Sequence, residues 1–171
     1  MLALGLTIYV RIRPRWVSVR VVPRQGEATQ AEGVAKIAAR LTTKGIEKVV
    51  AIGEEANAIA AGQGVTIHEA FCHPRVLIGG VDKAQLVVGE FLRQACGGKK
   101  PLLRFRMVIH LPDEVEGGLT DVEERALMEF GLRLGASRVV ISQEPVELSD
   151  KQVVALGRGG TPKTPRVETR C

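Results

Sequence analysis

Apolar residues follow two rhythms along this chain. From Leu6 to Arg13 and again from Trp16 to Pro23 they recur at every second position, the period of a half-buried strand. Pro14 lies between the runs and suits the first corner of a tight turn, so the two are expected to pair as a hairpin. One face would then carry Ile8, Val10, Ile12, Val17, Val19 and Val21. The other would carry Tyr9, Arg11, Arg13, Trp16, Ser18 and Arg20. The second rhythm lies between Arg104 and Ser142. The run 104–111 (RFRMVIHL) is short, apolar and rich in β-branched residues, as a buried strand is. Pro112 ends it, having no N–H for a ladder. Thr120 and Glu123 have capping-box spacing. Val122, Ala126, Phe130 and Leu134, with Leu127, make one helical stripe ending at Gly135, a left-handed cap. Residues 138–142 return as a strand, and two strands joined through a helix are most simply parallel and right-handed.

The remaining segments read in the same terms. Gln25 to Gly33 is polar and expected as a loop. Val34 to Leu41 has mixed signals, because AKIAAR favours helix by propensity, while Ile46 to Ile52 reads as a strand after the turn Thr42-Thr43-Lys44-Gly45. A short helix over 54–61 and an irregular stretch over 62–80 follow. Asp82 with Gln85 predicts a second capping box for a helix over 82–96, burying Leu86, Val87, Phe91, Leu92 and Ala95. Ser149 is placed to cap a short helix through Leu156. From Gly157 the chain turns basic and rich in Gly and Pro, the composition of a flexible tail. The core expected is a mixed sheet of strands 6–13, 16–23, 46–52, 104–111 and 138–142. In domain terms this is one α/β unit over 1–145, then a short helix or loop and basic tail over 146–171.

Composition narrows the class. At 171 residues, 45% hydrophobic and 4% aromatic, the chain suits a single aliphatic core. No apolar run reaches the roughly 18–20 residues of a membrane span, and arginines follow the N-terminal apolar stretch instead of preceding it, unlike a signal peptide. Three irregularly spaced cysteines point to reduced thiols and a cytoplasmic setting. The net charge of +5 weakly favours acidic partners.

The central run also carries a resemblance. Leu111-Pro112, Thr120-Asp121-Val122-Glu123-Glu124-Arg125-Ala126, Leu134-Gly135-Ala136-Ser137-Arg138-Val139 and Ile141-Ser142-Gln143-Glu144-Pro145 are similar to the V-x-V-P, T-x-V-E-[KR]-R-A, A-G-A-[RS]-x-V and I-[EQ]-E-P segments of MreB, the bacterial actin-like rod-shape-determining family. Looser similarity extends upstream, where Val50-Ala51-Ile52-Gly53 resembles that family's V-A-x-V-G and favours a second hairpin, 34–41 with 46–52. The resemblance implies an actin-like half-fold, ribonuclease-H-like, with an N-terminal hairpin region, a parallel βαβ unit and packing helices. It also implies a family that grips ATP and magnesium between two halves and builds filaments.

The nucleotide motifs do not carry over. Where the family has D-[LIF]-G-T-x-N-T this chain reads Ala3-Leu4-Gly5-Leu6-Thr7, without the aspartate that holds magnesium through water. No D-x-G-G-G-T follows Pro145. Glu144 matches the glutamate that orients the attacking water, and without nucleotide it has nothing to act on. The expectation is therefore no enzyme, no cofactor and no metal: a truncated MreB-like module acting through protein contacts in cell shape or the cytoskeleton, as a homo-oligomer or on a protein partner. One alternative is an ATP-binding actin-like protein completed by a partner chain. Another is a basic nucleic-acid module using Tyr9, Arg11, Arg13, Trp16 and Arg20, against which stands a covered face where arginines lie on rings. A ribonuclease-H-like nuclease would draw on Asp113, Glu114 and Glu116. His68, Cys72 and His73 are too few for a closed zinc site, and GRGGTPKTP lacks the G-K-[ST] of a P-loop.

Overall fold

The alternation at the N-terminus folds as it reads. Strand β1 (Thr7–Arg13) pairs antiparallel with β2 (Trp16–Val22), with Arg13 opposite Trp16. The computed structural model describes residues 5–59, 64–72, 80–99, 101, 104–113 and 118–160. Beyond β2 come β3 (Thr29–Val34), β4 (Lys36–Leu41), β5 (Glu47–Ile52), α1 (Glu54–Asn57), β6 (Val65–Glu69), α2 (Val81–Ala95), β7 (Phe105–His110), α3 (Asp121–Arg133), β8 (Ala136–Ser142) and α4 (Asp150–Gly157). Five strands form a mixed sheet in the order β3-β2-β1-β7-β8, and a second sheet runs β5-β4-β6. β7 is parallel to β1 and to β8, so the crossover through α3 is the parallel unit the periodicity predicts.

Each face of the large sheet has its own cover. Ile8, Val10, Ile12, Val17 and Val19 meet Met107 and Ile109 in the main core, under Val87, Phe91 and Leu92 of α2 and Leu127 and Phe130 of α3. On the opposite face Tyr9, Val22 and Val108 are covered by Leu148 and by Val153 and Leu156 of α4. Both α3 and α4 start with a complete capping box, Thr120 with Glu123 and Ser149 with Gln152, which satisfies helix N–H groups that would otherwise lack partners.

Several expectations change. Residues 25–33 are not all loop: Thr29–Val34 is a strand at the edge of the sheet. An edge strand with one solvated face needs only a little apolar surface, here Ala31, so its composition looks like a loop. The stretch 62–80 is not uniformly irregular, because Val65–Glu69 pairs with β4. The hairpin 34–41 with 46–52 forms as β4 and β5, but it lies in the small sheet and not beside β1. The chain leaves the large sheet at Ala35, whose N–H donates to the Arg15 carbonyl while its own carbonyl accepts from Ala70, and Arg15 N–H donates to the Phe71 carbonyl. The helix after β5 is one turn, Glu54–Asn57; residues 60–61 lie outside the described residues. Asp82 builds no capping box, since the cap of α2 is Gly80; Asp82 instead accepts from Arg133 Nη1 of α3 at 2.8 Å. Leu86 and Val122 are 44% and 76% exposed. The stripes turn slightly from the expected ones, to Ala84, Val87, Val88, Phe91, Leu92 and Ala95 on α2 and to Leu127, Phe130 and Gly131 on α3. The tail expected from Gly157 starts later, since Gly157 is buried as the last residue of α4; residues 161–171 lie outside the described residues.

Candidate functional site

The parallel strands β1, β7 and β8 all run toward one end of the sheet, and there the face under α4 becomes polar. Tyr9 and Arg11 of β1, Arg20 of β2 and His110 of β7 meet the segment from Glu144 to Asp150 that leads into α4. His110 is fully buried. Its Nε2 lies 2.6 Å from the Glu144 carbonyl, which can only accept, so that nitrogen carries the proton. Nδ1 is then an acceptor, and the Tyr9 hydroxyl donates to it at 2.5 Å. The same hydroxyl accepts the Leu148 N–H at 3.1 Å. Each member of the chain has one consistent role. Burial is the main reason the His110 pKa falls below the ordinary histidine value, with the Arg11 charge adding to it against the Glu144 carbonyl. Burial likewise raises the Tyr9 hydroxyl, so both groups are neutral at pH 7.

Beside this network two arginines converge on one carboxylate. Arg11 Nη1 donates to Glu147 Oε2, and Arg20 Nη1 donates to Glu147 Oε1 at 2.9 Å. Arg20 also donates to the Leu148 carbonyl at 2.6 Å and pairs with Asp150 at 3.2 Å. The rings hold both guanidinium groups in place: Arg11 lies 5.2 Å from the Trp16 ring centre and Arg20 lies 4.8 Å from that of Tyr9. Arg11 and Arg20 are only 14% and 17% exposed, so their charges need these partners.

Four residues of the predicted basic face, Tyr9, Arg11, Trp16 and Arg20, are thus brought together, and Arg13 is not among them. Tyr9 is 2% exposed and its ring is covered, so it offers no plane on which a base could stack. Arg13 is at the open end, 3.7 Å from Asp113; Glu114 and Glu116 lie outside the described residues. Glu144 supplies its carbonyl to His110. His68 pairs with Glu47 at 3.0 Å, Cys72 is exposed and His73 lies outside the described residues; among the described residues no three such side chains are grouped to hold a metal. A separate cleft of about 230 Å³, lined by Glu32, Gly53, Glu54 and Phe91 among others, is smaller than most ligand pockets. Sequence reasoning missed His110 and Glu147. His110 reads as one more position in an apolar strand, and Glu147 lies in a stretch with no periodicity to place it.

No family model matches the chain, and neither does any curated protein. Solved structures do. The crystal structure of MreB5 of Spiroplasma citri bound to ADP matches at 15% identity and a TM-score of 0.55, over 82% of this chain and 38% of that one. The same protein bound to AMPPNP matches at 17% and 0.56, over 82% and 39%. The fold is actin-like. The mixed five-stranded sheet and its packing helices are that half-fold, the one implied by the resemblance to MreB. The actin-like chain described here spans about two fifths of the length of the MreB5 chains it matches. Among its described residues no helix is long and apolar enough to cross a membrane.

Proposed function

We propose that this chain is an actin-like half-module of the cytoskeletal type that works through protein contacts and neither binds Mg-ATP usefully nor hydrolyses it. The observation that carries this reading is the polar cluster under α4. In open α/β sheets ligands enter beyond the carboxyl ends of parallel strands. Here the chain's own segment 144–150 occupies one face at that end: Glu147 takes Arg11 and Arg20, and Leu148 and Glu144 close the Tyr9–His110 pair. Arg11 and Arg20, the cations on this face, already have partners, and a triphosphate needs several donors plus a metal to offset its desolvation.

Calorimetric titration with Mg-ATP at about physiological ionic strength, where the Debye length is roughly 8 Å, tests this. No magnesium-dependent binding tighter than about 10 μM, or roughly −7 kcal/mol, is expected. Binding above that threshold would defeat the reading and favour an ATP-binding protein completed by a partner chain, an alternative supported by the two-fifths coverage of MreB5.

A further inference from the structure

The two sheets have four edges among the described residues, and three of them are blunted against pairing. β3 carries Gln30, Glu32 and Gly33, β5 begins Glu47-Lys48, and β6 is five residues long and ends His68-Glu69. Charge, glycine and shortness are the usual ways to keep an edge from pairing with another chain. β8 differs. It is a seven-residue edge strand, ASRVVIS, whose Val139, Val140 and Ile141 are all only half-buried.

The direction of its backbone groups can be read from one bond. The Ser142 carbonyl accepts Leu111 N–H across the β7 side. Backbone groups alternate along a strand, so over 138–142, past the register shift that leaves Ser137 at a bulge, Arg138, Val140 and Ser142 bond inward to β7, and Val139 and Ile141 present N–H and C=O to the outer edge. An antiparallel copy of the same strand, with the two-fold axis at Val140, sets Val139 against Ile141 of the copy and Ile141 against its Val139. Both are outward-facing residues, so each pair can exchange two hydrogen bonds. Val140 meets itself in a non-hydrogen-bonded pair, and Arg138 faces Ser142. This register brings no like charges opposite one another.

The helix above the edge adds apolar surface. A Cβ on Gly131 would lie 2.6 Å from Val139 and 3.1 Å from Met107, so α3 sits over the gap between β7 and β8. Its α2-facing flank is marked by Arg133, paired with Asp82, and by Leu134, which meets Gly89. By helical geometry Met128 and Leu132 fall on the opposite flank, overhanging the outer edge of β8. They are 42% and 52% exposed. Continuing the sheet across a two-fold at strand spacing of about 4.8 Å would put α3 and its copy about two strands apart, near 10 Å. That is the distance at which helices pack.

From these observations we infer that the chain forms a two-fold homodimer through antiparallel β8–β8 pairing, sealed by Met128 and Leu132 of the two α3 helices. The inference rests on the reading of the chain as a protein-contact module and names a second copy as its partner. Sedimentation equilibrium of the full chain should give about twice 18.5 kDa. Ile141→Pro removes an N–H that faces outward and spares the ladder to β7, so it should give a folded monomer by circular dichroism and sedimentation, as should Leu132→Lys. With Cys72, Cys96 and Cys171 replaced by serine, Val140→Cys should oxidise to a disulfide-linked dimer, because that pair has Cα atoms about 4.5 Å apart. Ser137→Cys, several residues from its own copy, should not. A monomeric full chain at about 100 μM would overturn the inference. So would a dimer that survives both Ile141→Pro and Leu132→Lys, or equal crosslinking at Val140 and Ser137. None of these outcomes depends on Mg-ATP, so the dimer and the nucleotide-free reading fail separately.

Discussion

At the scale of single residues His110 shows how position and protonation depend on each other. A histidine in the middle of a buried strand is tolerated because both ring nitrogens have partners, Tyr9 on one side and the Glu144 carbonyl on the other. The charged groups around it are Arg11 and Arg20 from β1 and β2, and Glu144 and Glu147 from the segment above. A proton on Nδ1 would displace the Tyr9 donor and put a third positive charge beside the arginines. The folded-state pKa is therefore depressed, and the unfolded chain takes up a proton near pH 6.5 that the folded chain refuses. Stability should thus be held above about pH 6.5 and be lost as pH falls through that value toward the folded-state pKa, by at most about 1.4 kcal/mol per pH unit. Urea midpoints at pH 7.5 and 5.5 check this. The full chain should lose more between the two than His110→Asn does, and the difference isolates His110 from His68 and the carboxylates, which both chains share.

Among the elements, α3 is placed by what it lacks. Gly131 lies in the helix interior, where glycine costs about 1 kcal/mol relative to alanine. Its missing side chain lets the helix sit down between Met107 and Val139. Gly131→Ala is therefore expected to destabilise the chain by about 1–3 kcal/mol through overpacking, although helix propensity alone predicts a gain. A urea midpoint shifted upward would mean that α3 rides higher on the sheet than described. The start of α3 was legible locally, since Thr120 and Glu123 make their capping box within four residues. The seat of the same helix was not. Val122 fits the helical stripe by spacing, but it is 76% exposed, because four-residue steps drift around the helix and carry it to the side opposite Gly131, which is seated on the sheet. α2 shows the same limit: Asp82 has cap-like spacing with Gln85 yet finds a better partner in Arg133, fifty-one positions away.

For the whole molecule the question is whether two sheets make one folding unit. Ile37 of the small sheet and Ala35, Ala70 and Phe71 at the junction belong to the same core as Phe91 and Ile8. Backbone bonds from Arg15, Ala35 and Ala70 tie the sheets together. Equilibrium unfolding should accordingly be a single transition, with Trp16 fluorescence and far-ultraviolet circular dichroism giving coincident midpoints at one protein concentration. Two separated midpoints would show that the small sheet opens alone. The sequence by itself determined those elements whose signals are short-range: the β1–β2 hairpin around Pro14, the βαβ unit of 104–142, and the capped starts of α3 and α4. Alternation, helical period and capping are satisfied within a few residues, so one strand of text carries them. Only the tertiary structure decided that β4 and β5 leave the main sheet, that the polar Thr29–Val34 is a strand, and that Glu147 closes over Arg11 and Arg20. Thr29–Val34 depends on its pairing with the neighbouring β2, and the other two outcomes depend on pairings across tens to more than a hundred positions, where the energy of a contact belongs to neither segment until both are in place.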